Sequence, residues 1–177
     1  MPSDRFVQAL NEQIGNEFGA HQQYVAVAVY FDALTLPQLA GFFYRQALEE
    51  RDHAMMMVQY LLDAGSDAQV PAVAGPDTKF DDIVAPVQLA LDQERRVTDQ
   101  IQKLSALARE ENDFVSEQFL SWFLKEQVEE VATMSALLQV VQRSKDNPML
   151  AEDFVAREHS SGPAEDPTAP PVAGAGA

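Results

Sequence analysis

Cysteine is absent from the 177 residues, which excludes a disulfide framework, a thiolate metal site and a cysteine nucleophile. Basic residues are scarce: 12 Lys+Arg stand against 28 Asp+Glu, a formal charge of −16. Such a chain repels nucleic acid and anionic membrane, and it attracts cations. Long apolar runs are missing too. The longest, residues 25–31, is far too short to cross a bilayer. The opening Met-Pro-Ser-Asp leads into mixed polar sequence, without the basic start and apolar core of a secretory signal, so the expected location is cytoplasmic. Glycine is rare at 8 residues, and four of the 10 prolines fall in the last 15 positions. What is present is an apolar fraction of 46%, enough for one domain that buries about 70% of its unfolded surface.

Apolar residues recur at helical spacing through most of the chain. A first helix from about residue 3 to 31 carries Val7, Leu10, Ile14, Phe18, Val25, Ala28 and Phe31 on one stripe. Thr35-Leu36-Pro37-Gln38 reads as a capping box with proline in the first turn of a second helix, which Gly65 is placed to end. Residues 65–81, with Gly65, Pro71, Gly75 and Pro76, show no period and form a loop. Asp81 and Asp82 are candidate caps for a third helix, a break near Asn112 leads into a fourth, and Asn147-Pro148 starts a short fifth ending near Arg157. From His159 onward the Pro/Ala/Gly-rich chain reads as a mobile tail. The division is therefore a helical domain over residues 1–158 and a tail over 159–177. Short connections make helices one and two antiparallel, and likewise three and four. The 17-residue loop extends to about 56 Å, enough to cross the bundle and set helix three parallel to helix two.

The informative residues are polar ones on apolar stripes. Glu17 lies seven after Leu10; Glu50 lies seven after Phe43 and seven before Met57, with His53 one turn further on. Glu94 lies seven after Val87 and seven before Ile101. Gln127 is seven before Met134, and Glu130 is seven after Phe123 and seven before Leu137. Residues spaced by seven share a helix face, so each helix points a carboxylate or amide into its own core. All lie mid-helix, and mid-helix positions meet at one height whichever way a helix runs. No Lys or Arg on those stripes neutralises them.

Buried carboxylates need a partner. A metal answers that need, and oxygen ligands with one imidazole suit iron or manganese. Two further readings stay open on these residues. One is an oxidase or oxygenase acting on an organic substrate, and the other is a structural bundle whose carboxyls share protons. His21 and His159 read as stripe-edge and exposed residues, Met55, Met56, Met57 and Trp122 as packing. Tyr24 is either core or neighbour to the site. Glu110, Glu111, Asp113 and Glu117 line either a cation channel or a solvated helix end.

Over residues 5–158 the chain resembles bacterial non-haem ferritins. The resemblance rests on Asn16-Glu17-Phe18 with Tyr24, Glu49-Glu50-Arg51-Asp52-His53-Ala54, Asp92-Gln93-Glu94 and Glu126-Gln127-Val128-Glu129-Glu130. It implies an all-α, ferritin-like four-helix bundle with a long crossover and a short fifth helix. It also implies a 24-subunit cage that oxidises Fe(II) with O2 or H2O2 and stores the Fe(III) mineral. By that resemblance Glu17, Glu50 and His53 hold one iron, with Gln127 close by. Glu50, Glu94 and Glu130 hold the second, and Tyr24 stands beside the pair. Glu49, Glu126 and Glu129 match a third, weaker iron site. Haem-binding bacterioferritins carry methionine where this chain has Arg51, and a second Glu-x-x-His where it has Gln127 to Glu130, so no haem is expected. Nothing in the residues marks a reductant partner for iron release.

Overall fold

The computed structural model describes residues 2–159 and 166–175. Among them are five helices and no strand: α1 (Asp4–Ala33), α2 (Pro37–Asp63), α3 (Val84–Glu110), α4 (Phe114–Arg143) and α5 (Met149–Glu158). None is long and apolar enough to cross a membrane.

Local chemistry sets most of the boundaries. The Ser3 side chain accepts from Phe6 N and opens α1, and Asp113 accepts from Ser116 N and opens α4. Asp82 Oδ1 accepts from Val84 N at 2.9 Å and Ala85 N at 3.0 Å, capping α3 as expected. Gly65 (φ 65°) and Asn112 (φ 56°) supply the left-handed residues that follow α2 and α3. The expected Thr35–Gln38 capping box does not form. Thr35 sits at φ 60°, not in the extended conformation an N-cap needs, and Leu36 is the N-cap without a side-chain bond. The cap comes instead from α5. Glu152, 4% exposed, accepts from Gln38 N at 2.9 Å and Leu39 N at 2.8 Å. Its carboxylate thereby meets the orphan N–H groups and the positive end of α2.

Contacts give the topology. The start of α1 meets the end of α3 through Ser3–Glu111 and Arg5–Glu110, while Tyr24 reaches Ala90 and Glu94. Hence α1 and α3 are antiparallel. The tight turn after α1 makes α2 antiparallel to it, so α2 and α3 run parallel and the long connection crosses the bundle. That connection is pinned to α1 by two amides. Asn11 bonds Asp67 O and Gln69 N, and Gln23 bonds Asp77 O and Asp77 N, all within 2.9 Å. Gly15 lets it approach: a Cβ there would stand 2.7 Å from Pro71 Cγ.

The core is divided into two apolar clusters. One gathers Tyr24, Phe31, Phe43, Val87, Leu91 and Met134, and the other gathers Ile14, Ala54, Met57, Val97, Ile101 and Phe123. On each of α1 to α4 the gap between them falls at the polar stripe residues. Each fully buried large side chain contributes about 1.5–3 kcal/mol, so the clusters hold the gap closed from both ends.

The described part of the tail lies on the bundle. Asp166 accepts from Trp122 Nε1 at 3.0 Å and stands 3.7 Å from Lys125 Nζ, and Ala173 N donates to Met55 O at 3.2 Å. Residues 160–165, 176 and 177 lie outside the described residues. His159, read from sequence as exposed, is half-buried, its ring against Phe42 and Phe154.

Glu152→Ala is expected to lower stability by about 1–3 kcal/mol, the scale of leaving buried donors unsatisfied. Asp153→Ala, at an exposed neighbour, should change it by less than about 0.5 kcal/mol. Denaturant unfolding of the two variants side by side checks this.

Candidate metal centre

The residues that interrupt the stripes converge between the two apolar clusters. Glu17 (α1), Glu50 and His53 (α2), Glu94 (α3), Gln127 and Glu130 (α4) are all 6% exposed or less. Glu17, Glu50 and His53 each offer a ligand atom within 4.8 Å of the others. His53 Nδ1 and Glu50 Oε2 stand 3.5 Å apart and make no hydrogen bond. In all, Glu17 Oε2, both oxygens of Glu50, His53 Nδ1 and Glu94 Oε2 are buried without a partner. Buried polar atoms are ordinarily satisfied, and this many orphans in one place mark a candidate cation site. The donor set is oxygen-rich with one imidazole, which fits divalent iron, manganese or zinc.

Charge makes the same point. Burial raises Glu17, and it raises Glu50 well above the carboxylate range with repulsion from Glu94 and Glu17 adding to it. Glu130 is raised well above its usual value by burial and by Glu94. Burial pushes Glu94 up to about 7 against the Tyr24 hydrogen bond, which pulls it down. Burial lowers His53 to about 4, so its ring is neutral near pH 7 and keeps a lone pair for a metal. Without a cation the centre therefore holds protons, and a cation must displace them.

The surrounding hydrogen bonds aim these groups. The Tyr24 hydroxyl, wholly buried, donates to Glu94 Oε1. Gln13 Nε2 donates to Glu17 Oε1 at 2.8 Å. Thr98 Oγ1 lies 2.8 Å from Glu94 O and 2.9 Å from Gln127 Oε1, sharing one proton between them. Gln127 thus has its oxygen engaged. The sequence reading missed Gln13, Gln46 and Thr98. Each stands one turn from a stripe carboxylate (Glu17, Glu50 and Glu94), and that spacing is the signal that was available.

Beside the centre, Glu49, Glu126 and Glu129 line a cavity of about 330 Å³ with Gln46 and Glu130. Burial pushes Glu49 up to about 7, and burial with Glu129 nearby raises Glu126. His21 is not in the centre: its Nδ1 meets Ala47 O at 2.6 Å. Trp122 packs edge-on to His53, ring centroids 5.7 Å apart. The acids at the α3–α4 junction find partners within the chain: Glu110 with Arg5, Glu111 with Ser3, Glu117 with Arg109, and Asp113 as a cap.

Comparison with known proteins gives a consistent result. The ferritin-like domain model matches residues 7–144. The chain is 52% identical over 170 residues to ferritin BfrB of Mycolicibacterium smegmatis, covering 96% of this chain and 93% of the relative. It is 37% identical over 147 residues to a bacterial non-heme ferritin of Staphylococcus aureus, covering 83% and 89%. An open-pore ferritin from the archaeon Archaeoglobus fulgidus superposes with a TM-score of 0.84 at 29% identity, over 88% of this chain and 96% of that one.

The metal-free protein should lose stability as pH rises through about 7. Glu49 and Glu94 move from 4.5 to about 7 on folding. Their contribution is complete below the unfolded value and is lost as pH climbs through the folded one. His53 works the other way, its lowered value costing stability as pH falls from 6.5 towards 4. One imidazole is outweighed by six raised carboxyls, Glu17, Glu49, Glu50, Glu94, Glu126 and Glu130. Melting temperatures at pH 5.5 and 8.5 check the sign. The higher value is expected at pH 5.5, with the difference shrinking when Zn(II) is bound.

Proposed function

The chain belongs to the ferritin-like domain family, and on that premise we propose that it is a ferroxidase that stores iron. It oxidises Fe(II) at a di-iron centre within each subunit and keeps the Fe(III) mineral inside a 24-subunit cage. The observation that carries this reading is the set of unpartnered buried oxygens of Glu17, Glu50 and Glu94 with His53 Nδ1, sealed between two apolar clusters.

Iron is the substrate. Glu17, Glu50 and His53 take one Fe(II), with Gln127 alongside, and Glu50, Glu94 and Glu130 take the other. Glu50 faces both ions, and four carboxylates balance two divalent charges. Each Fe(II) gives up one electron. O2 takes both with two protons and leaves as H2O2, or H2O2 takes both with two protons and leaves as two waters. Anionic ligands favour Fe(III) over Fe(II), which drives the oxidation. Protons that the carboxyls hold in the metal-free state leave as iron binds. The Tyr24 hydroxyl holds Glu94 in place throughout. Glu49, Glu126 and Glu129 form a third, weaker site that receives iron from the pair. The charge of −16 per chain draws Fe(II) in and gives the mineral carboxylates to grow on.

No haem takes part in this scheme, and Arg51, exposed, is engaged with Asp52 at 2.7 Å.

Glu50→Ala should slow oxidation more than any other single ligand change, by about tenfold or more, the scale on which even groups that orient ligands matter. Its metal-free stability should hold or rise, because one of several mutually repelling buried carboxyls is gone. Aerobic addition of Fe(II), followed by mineral absorbance and particle mass, is the test. Wild-type rates in the variant would refute the di-iron assignment. A wild-type particle of subunit size that accumulates no mineral would favour the proton-sharing bundle.

A further inference from the structure

Gln46 has no part in the scheme above, yet its chemistry is unfinished. It lies on α2 one turn before Glu50 and three residues before Glu49, and it is 6% exposed. An amide buried to that degree should use both its halves. Only one is used here. Nε2 donates to Glu49 Oε2. Oε1 is buried with no partner.

The residues around that oxygen do not supply a donor. Gln46 lines the cavity of about 330 Å³ together with Glu49, Glu126, Glu129 and Glu130, and none of them is paired with Oε1. Arg45, Thr133 and His159 line the same cavity, and none of them bonds Oε1; Arg45 Nη2 donates instead to His159 O at 2.6 Å. A cation among these acids gives both halves of the amide a use, since a carboxamide oxygen is a hard, neutral ligand.

We propose that Gln46 Oε1 is a ligand of the third cation, completing the set of Glu49, Glu126 and Glu129. The proposal rests on the third-site reading given above. Its chemical consequence concerns affinity. A neutral oxygen adds a ligand without adding charge, so the site holds Fe(III) less firmly than four carboxylates would.

The test is anaerobic titration of the assembled protein with Zn(II), a redox-inert probe, followed by calorimetry. Wild type, Gln46→Leu and Gln46→Glu are compared. Three Zn(II) per subunit are expected in wild type. Gln46→Leu should weaken the third by about tenfold or more and leave the first two unchanged, while Gln46→Glu should keep three and tighten the third. An unchanged third affinity in Gln46→Leu overturns the Gln46 assignment alone, because a water then suffices for Oε1. Only two Zn(II) in wild type overturns the third-site reading itself, and the role of Gln46 with it. Should Gln46→Leu fail to assemble, a Zn(II)-soaked wild-type crystal decides. An ion at about 2.0–2.2 Å from Oε1 supports the proposal, and an ion held only by the carboxylates overturns it.

Discussion

Buried carboxyls on four helices, Glu17, Glu50, Glu94 and Glu130, repel one another across the middle of the bundle. The rest of the architecture is arranged around that repulsion. Apolar clusters close the bundle on either side of them. The crossover over residues 65–81 makes α2 and α3 parallel, so the two helical hairpins present their midpoints to one another. A protein that wanted only stability would fill this height with leucine, since well-packed apolar residues do as well as or better than buried charge. Retaining carboxylates there makes sense only if something positive is to be held.

Protons fill that role when no metal is present. Glu94 and Glu49 sit at about 7 and Glu50 and Glu130 stand above their usual range, so the centre enters neutral solution partly neutralised. On the proposed reading, divalent cations replace those protons, which would tie metal affinity to pH. Neutral groups meet two of the carboxylates without adding charge: Gln13 donates to Glu17 and Tyr24 to Glu94, while Thr98 engages Gln127. Neutral donors are the fitting choice here. A lysine or arginine would form ion pairs with the carboxylates and compete with the metal.

Much of this was legible in the residues. The five helices follow from a 3.6-residue period and from few breakers, and Gly65 and Asn112 end helices where expected. The centre follows from polar residues at heptad distance from core positions, because that spacing forces burial whatever the tertiary detail. Contacts between distant segments were not legible. Glu152 caps a helix end 113 and 114 residues away, where the residues themselves pointed to a local capping box at Thr35. Composition likewise marks residues 166–175 as tail-like without revealing that Asp166 meets Trp122. The groups that aim the ligands carried a signal, one turn from each carboxylate, but glutamine and threonine on helices are too common for spacing alone to single them out.

The central claim is that the gap between the two apolar clusters is a two-metal site. Anomalous diffraction from crystals soaked anaerobically with Zn(II) tests it most directly. The account predicts two ions about 3.5–4 Å apart, with Glu50 between them, Glu17 and His53 on one, and Glu94 and Glu130 on the other. Full soaking that leaves density only on surface acids, with the buried carboxyls unliganded, would contradict it.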